Sequence, residues 1–271
     1  MTSPTWILLR GLTRERRHWG SFAQTFADVV PTARVIALDL PGNGALYRQA
    51  SPWNVADMAR HCRRELHRLN VAPPYHLLAM SLGAMVATAW AASHPQELAG
   101  AVLINTSMRP FSPPQQRLRP HSLGQLLRLM LAAPGTLERE EAVLRLTSNL
   151  AQRHAGVPAL TTLTTLTTQW AAWQREGPVS RSNALRQLWA AARWSAPLAR
   201  PAVALLLLTS TADALVDPRC SVQLARHWGC PLATHPWAGH DLPLDDAPWV
   251  AAQVGAWLAS QPQLDAALIH T

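Results

Sequence analysis

The chain contains no lysine; all 24 of its cationic residues are arginine. Arginine codons are rich in G and C, so this absence speaks of codon usage before it speaks of function. Cysteine is scarce. Cys62, Cys220 and Cys230 make an odd number with no CxxC spacing, which argues against a disulfide framework and against a zinc site, and suits a reducing compartment. Residues 1–6 are too few and too polar for a signal peptide, and the strand-like apolar run 205–208 is far too short to span a bilayer. There are no long-period repeats and no linker-like stretches. The expectation is a cytoplasmic protein, off the membrane, with no metal and no cofactor.

What is present is a core. With 271 residues, 48% of them apolar, the chain can bury one large α/β domain, or such a domain carrying an insertion. The net charge of +8 is unevenly placed. Residues 107–200 hold 12 arginines against Glu138, Glu140, Glu141 and Glu176, whereas the rest of the chain has 12 of each sign. The whole excess lies in one central segment. It lacks any motif that reads nucleic acid. Either its exposed face meets an acidic partner or substrate, or it is a solvated basic surface produced by codon bias.

Short apolar runs at 6–9, 35–38, 75–78, 101–104, 203–208 and 233–237 predict strands, and helical patterns at 18–29, 53–69, 82–93, 219–227 and 247–259 lie between or after them. Apolar runs without polar alternation, separated by helices, indicate a parallel sheet covered on both faces. Residues 107–200 break the alternation. Helices are predicted at 123–132, 137–151, 158–173 and 180–194, separated at 133–135, 156 and 176–178. In the Thr-Thr-Leu repeat of 161–168 threonine is a weak helix former, but Leu163, Leu166 and Trp170 recur at helical spacing. The expected organisation is an α/β core from 1–106 and 201–271. Its mostly parallel sheet has about six strands, and a helical cap, 107–200, is inserted after the fourth.

Ala79-Met80-Ser81-Leu82-Gly83 places a serine at a strand-to-helix corner, above the positive end of a helix. Ala79 and Gly83 supply the small residues such a turn demands, although the usual pattern has glycine at both. Ser81 is then either an exposed nucleophile or an ordinary cap of a βα turn. A nucleophile needs a base and an orienting acid. His240, in Trp237-Ala238-Gly239-His240-Asp241 past the last strand, is the candidate base. Asp213, directly after the fifth strand and 27 residues earlier, is the candidate acid, unless it is only a turn residue or a helix cap, as Asp217 before Pro218 is also placed to be. Asn105 occupies the other place for an acid, but an amide cannot stabilise an imidazolium.

Serine, aspartate and histidine, each following a successive parallel strand, give the order of nucleophile-elbow hydrolases. The chain resembles the α/β-hydrolase superfamily over nearly its whole length. Leu8-Leu9-Arg10-Gly11-Leu12 followed by Trp19 looks like the family's His-Gly loop, and Asp39-Leu40-Pro41-Gly42-Asn43-Gly44 looks like its Asp-x-Pro-Gly-x-Gly turn. Asn105-Thr106-Ser107 and Ala238-Gly239-His240 also match. The resemblance implies Ser81 as nucleophile, His240 as base, Asp213 as orienting acid, and the N–H groups of Leu12 and Leu82 as an oxyanion hole. Arg10 stands where the family has histidine and puts a cation near the site. The first strand begins at Trp6, so the family's first two strands are expected to be missing.

A serine at the elbow implies esterases, thioesterases, C–C bond hydrolases, aminopeptidases or cofactor-free perhydrolases. Size and cap layout look like small capped carboxylesterases, including those that demethylate acyl-carrier-protein esters. The expected activity is a serine esterase or thioesterase; the alternatives are a C–C hydrolase or perhydrolase, or a binding or signalling protein on the same scaffold. An acyl-carrier protein or a coenzyme A thioester would suit the basic segment. Trp170, Trp173, Leu188, Trp189 and Trp194 either line an acyl pocket under the cap or pack between cap helices and sheet.

Overall fold

The computed structural model describes residues 3–131, 135–153 and 157–261. The separators expected at 133–134 and 156, and the end of the helix expected at 123–132, fall outside these residues. Six strands, β1 (Thr5–Leu9), β2 (Arg34–Leu38), β3 (Tyr75–Met80), β4 (Leu98–Ile104), β5 (Ala204–Ser210) and β6 (Leu232–His235), form one sheet. All pairings are parallel, and the strand order is β2-β1-β3-β4-β5-β6.

The inner strands are buried on both faces, which is why they read as unbroken apolar runs, whereas the edge strands β2 and β6 are partly open. Successive side chains serve opposite layers. Ile7, Leu9, Leu77, Ala79, Leu103 and Leu207 pack with α2 (Val55–Arg68), α3 (Leu82–Ser93) and α10 (Arg219–Trp228). Trp6, Leu8, Leu78, Met80, Val102 and Leu208 pack with α1 (Phe22–Val29) and α12 (Ala247–Ser260).

The helix expected at 18–29 is split. A 3-10 turn, Arg16–Trp19, ends at Gly20, whose φ of 53° breaks the helix before α1 starts. The strand expected to reach 237 stops at His235, because His235 Nδ1 accepts the N–H groups of Trp237 and Ala238.

Between β4 and β5 the chain forms α4 (Pro114–Arg117), α5 (Pro120–Leu131), α6 (Leu137–Thr147), α7 (Leu150–Arg153), α8 (Val157–Glu176) and α9 (Arg181–Arg193). Among the described residues the only bridge in this stretch joins Arg109 to Ser195, where the outgoing and returning chains run side by side. The threonine repeat lies inside α8; Thr167 Oγ1 donates to Leu163 O at 3.1 Å and so satisfies its hydroxyl within the helix. The helix expected at 137–151 breaks at extended Ser148, whose hydroxyl and the next N–H both donate to Asp245 of α11 (Leu242–Asp245). Among the described residues no helix is long and apolar enough to cross a membrane.

The chain runs from β1 outward to β2 and then back to β3 on the other side of β1. Ligand crevices in such sheets open at this reversal, beyond the carboxyl ends of the strands. The loop after β1 and the turn after β3 therefore share one crevice.

Candidate active site

Ser81 sits between β3 and α3 with φ 55° and ψ −117°. A non-glycine residue there costs about 1–3 kcal/mol and persists only where its surroundings enforce it. They do so here: Ser81 N donates to Ile104 O at 2.9 Å, and Thr106 Oγ1 donates to Ser81 O at 3.2 Å. A Cβ on Gly83 would lie 2.5 Å from Leu9 O, so only glycine lets α3 start this close to β1. Gly11 plays the matching part from the other side, since its own Cβ would stand 3.1 Å from Ser81 Cβ. Gly11 and Leu12 line the same cavity as Ser81. Leu82 is the first residue of α3, and its N–H has no partner within the helix.

His240 is buried on the loop after β6, and its Nδ1 lies 2.8 Å from Asp213 Oδ2. The other oxygen of Asp213 accepts the N–H groups of Leu215 and Val216 at 2.8 and 2.9 Å. Asp217 is engaged by Arg219, and Asp241 by Arg10. Of the nearby carboxylates, Asp213 is the one on the histidine. With Nδ1–H donating to it, Nε2 is left as the acceptor. Burial disfavours the charged ring, but the Asp213 charge and hydrogen bond, helped by Asp241, outweigh burial and raise the His240 pKa above its ordinary value.

Ser81 and His240 line one cavity of about 70 Å³, together with Arg10, Leu12, Arg14 and Arg139. Among the described residues no hydrogen bond yet joins the serine hydroxyl to the ring, as is common without a ligand. The far wall is Leu126 and Leu129 of α5 with Val143 and Leu146 of α6. A wider groove of about 1100 Å³, lined by Met85, Arg109, Arg117, Leu123 and Leu188, includes neither Ser81 nor His240.

Of the two readings of the tryptophans, packing is the one observed: Trp170, Trp173, Trp189 and Trp194 are not among the residues lining this cavity. Trp170 packs on His18 and under Arg14, and Trp173 meets His18 and Arg17. Trp189 is half exposed beneath Arg193, and Trp194 packs against the main core. Leucine and valine at i, i+3 spacing on α5 and α6 supply the wall instead. That spacing was visible in the sequence, but not which way it faced.

Asn105 and Arg10, both marked in the sequence, have partners that the sequence did not announce, and Asp245 had no local signal. Asn105, at φ 44°, donates to Ser210 Oγ, Gly239 O and His240 O, and accepts the Ser210 N–H. It ties the ends of β4 and β5 to the histidine loop, which is why an amide and not a carboxylate stands there. Arg10 Nη1 donates to Asp241 Oδ1 at 3.0 Å and Nη2 donates to Oδ2, so the cation beside the site is neutralised and the β1 loop is clamped to the histidine loop. Asp245 accepts from Gly239 N at 2.6 Å as well as from Ser148 and Asn149.

The model of the alpha/beta hydrolase fold matches residues 4–247. The chain belongs to the α/β-hydrolase family. No curated protein matches this α/β-hydrolase by sequence. Among solved structures it is similar to a thermophilic esterase from Thermogutta terrifontis (20% identity, 95% of this chain and 90% of that one, TM-score 0.73). It is also similar to a putative non-heme bromoperoxidase from Mycobacterium tuberculosis (19%, 96% and 93%, TM-score 0.73). A third is 2-hydroxy-6-oxo-6-phenylhexa-2,4-dienoate hydrolase from a Rhodococcus species (16%, 95% and 91%, TM-score 0.71). At these identities the likeness shows the fold, and the α/β-hydrolase's own side chains must carry the chemistry.

Proposed function

We propose that the protein is a serine hydrolase that cleaves a carboxylic ester or thioester through an acyl-enzyme. The observation that supports this best is Asp213 Oδ2 at 2.8 Å from His240 Nδ1 in the loops beside a serine held at φ 55°. In this reading His240 Nε2 takes the Ser81 proton as Oγ attacks the carbonyl, and the N–H groups of Leu12 and Leu82 hold the oxyanion. The protonated ring gives its proton to the leaving alcohol or thiol. Water, deprotonated by the same ring, then releases the acid. The basic surface of residues 107–200 serves an acidic substrate or partner, with a coenzyme A thioester or an acyl-carrier protein as candidates.

A fluorophosphonate probe should label Ser81, and a panel of p-nitrophenyl esters of graded acyl length should be hydrolysed. Ser81→Ala should abolish both. Labelling that survives in Ser81→Ala would remove the assignment.

A further inference from the structure

The cavity beside Ser81 is lined by three arginines, Arg10, Arg14 and Arg139, and they are not equally neutralised. Arg10 has Asp241 to itself. Arg14 and Arg139 share one carboxylate. Glu140 is fully buried; its Oε2 accepts from Arg14 Nη1 at 2.8 Å and its Oε1 accepts from Arg139 Nη1. Two guanidinium groups on one carboxylate leave one positive charge unmatched in this cluster.

The remaining contacts of the pair supply no negative charge. Arg14 Nη1 also donates to His18 Nε2 at 2.9 Å, and its guanidinium lies 4.4 Å from the Trp170 ring centroid. His18 is neutral, since burial and then Arg14 hold its pKa well below the ordinary value. Arg14 itself is only 9% exposed, and its buried Nη2 has no partner among the described residues. Arg139, 8% exposed, spends Nε on Leu129 O, and its Nη2 donates to no described residue. A guanidinium with unspent donors, removed from water and short of a counter-charge, is costly to keep. Consistent with that cost, the Arg14 pKa is lowered by burial and by the neighbouring Arg139 and Arg10, despite the opposing pull of Glu140.

We infer that Arg14 and Arg139 form an anion subsite, and that the ester cleaved at Ser81 carries a carboxylate. The second half rests on the serine-hydrolase reading; the first does not. A carboxylate is the anion that fits, because its two coplanar oxygens match the guanidinium fork. The cavity measures about 70 Å³, so the part of a substrate that lies in it is short. Leu126, Leu129, Val143 and Leu146 would face the methylenes between carboxylate and ester. The substrate class is therefore the half-ester of a short dicarboxylic acid.

Two measurements test this. Succinate is titrated calorimetrically into the wild type, Ser81→Ala, Arg139→Gln and, as a surface control, Arg181→Gln. Binding should persist in Ser81→Ala and Arg181→Gln and weaken about 10- to 100-fold in Arg139→Gln, the range for hydrogen bonds to charged groups. In parallel, kcat/KM is measured for monomethyl and dimethyl succinate. The anionic-to-neutral ratio should fall in Arg139→Gln by about the same factor. If Arg139→Gln unfolds, Arg139→Lys, which keeps the charge and loses the fork, should give an intermediate loss. Succinate that does not bind the wild type, or binds Arg139→Gln equally well, overturns the subsite. A protein that binds succinate but neither reacts with fluorophosphonate nor cleaves either ester overturns the hydrolase reading and leaves the subsite standing.

Discussion

His240 is a buried ring whose protonation is decided by a contest between desolvation and charge. Burial and Arg10 lower its pKa, whereas Asp213 and Asp241 raise it, and the net shift is upward from 6.5. As the base of the proposed reaction it must be neutral. The kcat/KM profile should therefore fall as pH drops through an acid limb centred above 6.5. Asp213→Asn removes the largest raising influence, so the limb should move down while the rate falls by about 10³–10⁴. A limb that stays in place would show that Asp213 does not govern the ring. The same shift bears on stability with the opposite sense. A raised histidine pKa favours the folded state below the unfolded value, and that contribution is lost as pH rises through the folded value.

At the scale of elements, the strand-to-helix corner depends on close approach. Gly83→Ala would drive a Cβ to 2.5 Å from Leu9 O and 2.7 Å from Arg10 O, both backbone atoms that cannot swing aside. Overpacking of this kind should cost about 1–3 kcal/mol, readable as a lower urea midpoint, with loss of fluorophosphonate labelling. An unchanged midpoint would refute the packing argument. The six strands and the corner were legible in the sequence because both depend on local pattern. Apolar strands covered on two faces read as solid runs, and small residues flank Ser81. The cavity wall was not legible for the opposite reason. Helix periodicity says that Leu126 and Leu129 share a face, but not which face turns to the sheet. The ion pair of Arg14 with Glu140 joins residues 126 apart, and the Arg10–Asp241 clamp joins residues 231 apart. No local motif announces either.

For the molecule as a whole, the question is what the arginines of residues 107–200 do. Some are structural. Arg117 donates to Ala191 O and Ala192 O and closes the end of α9, so Arg117→Glu would damage the fold instead of probing charge. Others, among them Arg109, Arg128 and Arg181, are exposed. If they steer an acidic substrate, kcat/KM for a coenzyme A thioester should fall steeply as the screening length shrinks from about 10 Å at 0.1 M salt to about 3 Å at 1 M. A small neutral ester should show no such loss, and Arg128→Glu should blunt the effect. Equal salt dependence for both substrates would reduce the basic face to codon usage. The grip of the segment between β4 and β5 on the histidine loop has a separate consequence. Asp241 N donates to Thr147 O, Asn149 Nδ2 donates to Trp237 O, and Asp245 gathers Ser148, Asn149 and Gly239. Ser81 is thus held from the sheet, whereas the His240 loop is held both from the sheet, through Asn105 and Arg10, and from the segment between β4 and β5. Crossover points drawn at residues 107 and 200 would not yield an interchangeable module. A chimera carrying a relative's segment would keep its Ser81 turn and lose part of the support of its His240 loop, unless the contacts at 147–149 were transplanted as well.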